Sequence, residues 1–240
     1  HGNTSTVGIP VYKLTGAPVP SGLIVTNDHG YDQKYNGVEL TMNKRLSNKW
    51  SARASFTYTD WKQHADNLDA CNGLFTVKSP DNVVSTNSGG SCANGDIVAP
   101  RAAGSGAKAG VFINSKWQFN VAGLYQLPLG FDIAANVFGR QGYPNVQWAN
   151  VNPGDGLGTR SVVIGNLDSQ RNPDVYNVDL RFDKNVQINP LTLTISAEVF
   201  NLTNQGTVLQ RQGRQNLSSY NQILEIQSPR VLRLGARISF

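Results

Sequence analysis

Residues 228–240 read SPRVLRLGARISF and end the sequence on an aromatic. By parity the stretch splits into two faces. Leu232, Leu234, Ala236, Ile238 and Phe240 form one, and Val231, Arg233, Gly235, Arg237 and Ser239 the other. Strict alternation predicts a β-strand, with one face apolar and the other carrying two arginines. In water such a strand would be a sticky, uncapped sheet edge.

Composition sets the frame for that strand. The 240 residues include 24 Gly and are 39% hydrophobic, which fits an all-β chain with many turns. No run approaches the ~18 apolar residues of a transmembrane helix, so contact with a membrane would require a β-barrel or surface binding. The formal charge of +5 is modest, and basic and acidic residues are interspersed. No nucleic-acid partner is expected from that pattern. The chain begins at His1 with no charged-then-apolar leader, so a secretion signal is expected to lie outside it. Cys71 and Cys92 close one Gly/Asn/Ser-rich segment and suggest a disulfide in an oxidising compartment, removing ~3 kcal/mol of loop entropy from the unfolded chain.

Period-two alternation recurs in seven runs. They begin at Tyr35 (YNGVELTMNKRL), Trp50 (WSARASFTYTD), Lys116 (KWQFNVAGLYQL), Phe131 (FDIAANVFGRQ), Tyr176 (YNVDLRFDKNV) and Leu191 (LTLTISAEVFN), and the terminal strand completes the set. Short SNK, PLG and NP links join them in pairs, whereas the other three joins are long. Short turns at one end and long loops at the other are the pattern of outer-membrane barrels. The charges agree. A lipid-facing Arg or Lys near the bilayer midplane costs ~2–4 kcal/mol, and nearly every charge in the runs falls on the polar parity. Lys44 and Lys184 break the rule beside short turns, where a long stem can snorkel. Trp50, Tyr58, Trp61, Trp117, Tyr125, Phe131, Tyr143 and Tyr176 cluster near run ends, as interfacial aromatic girdles would.

The ending RVLRLGARISF, preceded by LTISAEVFNLTN and by YNGVELTMNKRLSNKWSARASFTYT, resembles the C-terminal barrel strands of TonB-dependent outer-membrane receptors, especially the Oar-like group. The resemblance covers roughly Tyr35 to Phe240. It implies that Leu234, Ala236, Ile238 and Phe240 form the signal read by the outer-membrane assembly machinery. It also implies a barrel of about 22 strands around a plug, with a segment before the plug that contacts the TonB energy-coupling complex. The seven runs would then be one part of that wall.

The expected architecture is therefore all-β, an antiparallel up-and-down set of transmembrane barrel strands. Residues 1–34 are expected as an extracellular loop region whose start is truncated, and residues 35–240 as the C-terminal barrel segment. The expected place is the bacterial outer membrane, with long loops extracellular and the C-terminus periplasmic. Expected partners are outer-membrane lipid, the remainder of the barrel and its plug, and an extracellular solute.

Catalysis is not expected. His1, His29 and His64 lack metal-ligand spacing, no Gly-x-Ser-x-Gly elbow occurs, and GDGLG at Gly154–Gly158 lacks phosphate-loop or EF-hand context. No cofactor or metal is implied. Candidate ligand-binding residues are loop or loop-edge groups able to stack or pair: Trp61, Tyr143, Trp148, Arg160, Arg171, Arg211 and Arg214. Arg53, Asp179, Arg181, Glu198, Arg233 and Arg237 are expected to face the lumen, where cross-strand ion pairing accounts for them equally well. The leading expectation is a receptor for energy-coupled uptake of a solute. Alternatives are a small standalone barrel, acting as adhesin or pore with a further strand in TVGIPVYKLTG, and a secreted carbohydrate-binding β-sandwich.

Overall fold

The computed structural model describes residues 31–65, 95–98, 114–152, 160–164 and 170–240. His1, His29, TVGIPVYKLTG, Cys71, Cys92 and GDGLG lie outside the described residues. Among the described residues there are twelve strands: β1 (Tyr31–Ser47), β2 (Trp50–Ala65), β3 (Gly95–Val98), β4 (Trp117–Leu127), β5 (Phe131–Arg140), β6 (Trp148–Val151), β7 (Arg160–Val163), β8 (Val175–Ile188), β9 (Leu191–Phe200), β10 (Val208–Arg211), β11 (Ile223–Ile226) and β12 (Val231–Ser239). Each of the seven alternating runs is a strand of one antiparallel sheet, ordered β1-β2-β4-β5-β8-β9-β12, and β3 extends the ladder of β2. The chain is all-β and the sheet antiparallel throughout.

The largest boundary differences lie in the first hairpin. Strand β1 starts at Tyr31 rather than Tyr35, and β2 runs on to Ala65, because the two continue as one hairpin from Tyr31↔Ala65 downward. The strands β3, β6, β7, β10 and β11 were not foreseen. Each is four residues long, too short for alternation to register.

The short links make tight turns for local reasons. Asn48 and Lys49 both take positive φ (52° and 69°), the backbone of a two-residue type I′ hairpin, whose twist matches that of its strands. Pro128–Gly130 forms a single 3₁₀ turn with Leu129 and Gly130 at φ 64° and 75°. A Cβ on Gly130 would lie 2.7 Å from the Asn185 carbonyl oxygen, so only glycine fits there. Asn189 and Pro190 link β8 to β9.

The sheet is inverted relative to a water-soluble one. Among the described residues, the buried apolar side chains are Val146 and Val175, whereas Leu40, Met42, Phe56, Val121, Tyr125, Ile133, Phe182, Ile195 and Leu234 are exposed. Thr194, Glu198 and Asn201 are buried instead. The sheet curls around its polar side, where a hollow of about 460 Å³ draws lining residues from all seven principal strands. Cross-strand register turns the apolar side into continuous rows, one of which runs Met42–Ala54–Val121–Val137–Val178.

Aromatics bracket those rows. Near the short turns lie Trp50, Tyr125, Phe131 and Phe182, with Phe131 and Phe182 5.2 Å apart. Towards the long loops lie Phe56, Tyr58, Trp117, Phe119 and Tyr176, with Trp117 within 6.2 Å of both Phe119 and Tyr176. The rings of Phe119 and Tyr176 meet over Gly139, where a Cβ would sit 2.5 Å from Phe119. Trp61 and Tyr143 do not belong to these bands. Trp61 has the polar parity and packs edge-on against Tyr35 at 6.3 Å, and Tyr143 lies in a loop under the Arg140 guanidinium at 3.9 Å.

Lys44 and Lys184, the two charges on the apolar parity, both bend to the nearest turn. The Lys44 ammonium donates to the Ser47 hydroxyl (2.8 Å) and to the Trp50 carbonyl (3.1 Å), and it sits 3.9 Å from the Trp50 ring. The Lys184 ammonium donates to the Leu129 carbonyl and sits 4.1 Å from the Phe131 ring. Each thus leaves the centre of the apolar face for backbone oxygens at its rim.

Candidate functional site

The polar face has two halves that differ in how far their groups are satisfied. On β8, β9 and β12 the register sets Arg181, Glu198 and Arg233 side by side. Glu198 is buried and accepts from both: Arg181 donates to Oε1 at 2.6 Å and Arg233 to Oε2. Arg181 also grips Asp183 at 2.9 Å. Opposite charges directly across a ladder hold neighbouring strands together. Here the central carboxylate would be costly to bury without them.

Two further groups beside this cluster are also paired. Asp179 accepts from the Asn177 side chain (2.7 Å) and from the Asn201 backbone (2.9 Å). Asn185 donates to Asp132 at 2.8 Å and accepts from the Thr194 hydroxyl at 2.7 Å. Asn201, just past the end of β9, forms a strand-end clasp. Asn201, at φ 50°, donates to the Gln205 and Ser228 carbonyls at 2.9 and 2.7 Å and accepts from the Gln205 amide at 3.2 Å. That one side chain ties the end of β9 to the start of β12.

The half on β1, β2, β4 and β5 is open. Glu39, Thr57, Gln118 and Arg140 are register neighbours in a single row. Arg140 gives one donor to the Gln141 carbonyl at 3.1 Å and stacks on Tyr143. The side chains of Glu39, Thr57 and Gln118 have no hydrogen-bond partner among the described residues. Arg53, one row pair lower, has none among them either. Arg53, Asp179, Arg181, Glu198 and Arg233 all line the hollow, and Arg237 lies on the same face opposite Thr194.

At the loop end the candidate binding residues fall into separate roles. Arg171 is a staple: it donates to the Asn114 carbonyl at 2.6 Å, to the Asn114 side-chain oxygen at 3.2 Å and to the Gly142 carbonyl at 3.0 Å. Asn114 in turn donates to the Trp61 carbonyl at 3.4 Å. Asn114 and Arg171 thereby connect Trp61 to the segment that carries Tyr143. Trp148 and Arg214 form a second cluster. Their backbones bridge in parallel, the guanidinium lies 5.7 Å from the indole, and Arg214 donates to Asn216 at 3.0 Å. Arg211 is occupied with the Asn221 carbonyl at 3.1 Å. Arg160 sits in β7 opposite Val151.

Gly142 and Gly213 lock these loops together. A Cβ at Gly142 would fall 1.7 Å from the Asn172 carbonyl oxygen, and one at Gly213 2.0 Å from that of Val146. The arrangement provides hydrogen-bonding and stacking groups fixed by loop-to-loop contacts.

Sequence reasoning missed Asn114, Asn201, Glu39, Gln118 and Arg140. Arg140 and Gln118 could have been found, since both stand on the polar parity of runs already recognised. Asn114 could not, because nothing in a loop sequence marks which asparagine a distant arginine will seek.

The terminal residues lie where their alternation puts them. Leu234, Ala236 and Ile238 pair with Ala197, Ile195 and Leu193, and their face is open. No protein-family model matches the chain, and no curated protein is similar to it.

Proposed function

We propose that this chain is barrel wall of a TonB-dependent outer-membrane receptor, which binds an extracellular solute and passes it inward when an energy-coupling complex acts on the plug of the complete receptor. The observation that carries the reading is the inversion of the sheet: apolar side chains open on the convex side, and a buried carboxylate and its arginines on the concave side. A barrel in lipid needs that distribution.

Dimensions support it as well. Trp50 and Tyr58 stand eight residues apart on β2, so their levels are separated by ~27 Å along the strand, or ~20 Å of height at a barrel strand's tilt. That is close to the ~25 Å apolar band between the aromatic girdles of outer-membrane barrels. The rims then receive the Lys44 and Lys184 ammonium groups. A secreted sandwich would need a second sheet against the apolar face. Among the described residues the two small further sheets, β6-β7 and β10-β11, have two strands each and connect to the loops instead.

The mechanism is binding and gated passage. The loops and the open half of the polar face meet the solute, and the ion-paired half keeps the wall rigid. The test is fractionation of the native host's envelope with an antibody to this chain, followed by measurement of solute uptake with and without the proton-motive force. The reading expects a polypeptide larger than 26.0 kDa in the outer membrane, extracted only by detergent, with uptake lost when the force is collapsed. A polypeptide of 26.0 kDa in that membrane supports the standalone barrel, and a soluble one contradicts both.

A further inference from the structure

We infer that the open half of the polar face, at its loop end, is a saccharide-binding shelf; this deepens the receptor reading and rests on it. The shelf has two parts. Tyr35 and Trp61 face each other across β1 and β2 as an edge-to-face pair with ring centres 6.3 Å apart. The Tyr35 ring leans back over Gly37, where a Cβ would meet its hydroxyl at 2.9 Å, so the ring lies along the sheet towards the row below. That row is Glu39, Thr57, Gln118 and Arg140. At strand spacings of ~4.8 Å it spans ~14 Å, enough for one to two sugar rings.

The chemistry selects the ligand class. Among the described residues the aromatic rings here stand with hydrogen-bonding groups, and no apolar wall encloses an aromatic or aliphatic solute. A pyranose offers what this surface lacks: a C–H face to lie on a ring, and a rim of hydroxyls for a carboxylate, a hydroxyl, an amide and a guanidinium. The contrast with the other half of the face sharpens the point. There Arg181, Glu198 and Arg233 pair with one another and Asp179 and Asn185 have asparagine, aspartate and threonine partners, whereas Glu39, Thr57 and Gln118 have no hydrogen-bond partner among the described residues.

The shelf is also held in place. Thr59 donates its hydroxyl to the Ser115 carbonyl at 3.2 Å, and Ser115 donates to that of Gln141 at 2.7 Å. The Asn114 and Arg171 chain fixes Trp61 relative to Gly142, next to Tyr143. The Trp61 ring, carried on that held backbone and packed edge-on against Tyr35, has less freedom to lose when a ligand stacks on it.

The test is calorimetric titration of the detergent-solubilised native protein with three probe sets: cello-oligosaccharides, xylo-oligosaccharides and oligogalacturonates. At least one set should bind. Trp61→Ala and Tyr35→Ala should each weaken that binding about tenfold or more, Trp61→Phe should restore part of it, and Trp50→Phe on the opposite face should leave it unchanged. Retained near-ultraviolet circular dichroism establishes that each variant is folded. Failure of all three sets to bind wild type, or wild-type affinity in both alanine variants, overturns the inference. Envelope fractionation separates this outcome from failure of the receptor reading: an outer-membrane protein that binds no saccharide loses only the shelf, and a soluble one that binds loses only the receptor.

Discussion

Glu198 shows how far one side chain's surroundings decide its worth. Its side chain is 9% exposed and bonds to Arg181 and Arg233, whose side chains are 43% and 64% exposed. Removing the buried partner leaves two cations facing an uncharged group, whereas removing Arg233 leaves Glu198 still held by Arg181. Glu198→Gln is therefore expected to lower stability by ~1.5–3 kcal/mol, and Arg233→Gln by ~0–1 kcal/mol. Urea unfolding of protein folded into lipid vesicles measures both, and equal costs would contradict the assigned asymmetry. The sequence made the opposition of these residues legible, because Arg181, Glu198 and Arg233 all stand on the polar parity of their runs. It did not make the pairing legible, since that depends on the register between β8, β9 and β12. A slip of one residue would turn each of them to the other face. The loop residues were the least legible. Arg171 and Tyr143 looked alike as ligand candidates, yet one is consumed by Asn114 and Gly142 and the other is stacked beneath Arg140.

At the scale of the element, strand β4 presents the proposed lipid contact at two depths. Val121 lies in the row midway between the aromatic bands, and Leu127 lies beside the Pro128–Gly130 turn; both are exposed, at 43% and 38%. Arginine at the bilayer midplane is costly and at the rim nearly free. Val121→Arg should therefore destabilise the folded protein in vesicles by ~2–4 kcal/mol and Leu127→Arg by ~0–1 kcal/mol. Equal costs would mean that the face meets something other than a bilayer. The seven principal strands were readable because their alternation is long and their turns carry strong signals, such as Asn48 before Lys49 and the PLG link. Their loop-end extensions were harder to place. Tyr31–Lys34 and Trp61–Ala65 pair with one another by backbone register, and their side chains keep no strict alternation to announce it.

At the scale of the molecule, the property that matters most is which side of the sheet meets lipid. The polar side curls inward around its hollow and the apolar side is left open, an arrangement that is stable only if something apolar covers the convex face. The sequence carried this inversion as a period-two pattern with nearly all charges on one parity, the parity expected to face a lumen, but the pattern alone did not show how the strands would register into one curled sheet. The deciding measurement is spin-label accessibility along β4 in native outer membranes, with single cysteines from Gln118 to Gln126 on a background where Cys71 and Cys92 are replaced by serine. Labels at Phe119, Val121, Gly123 and Tyr125 are predicted to collide with dissolved oxygen and resist a water-soluble nickel reagent, and labels at Gln118, Asn120, Ala122 and Gln126 to do the reverse. Equal nickel accessibility at both parities, or an apolar parity closed to both reagents, would contradict the lipid-facing wall.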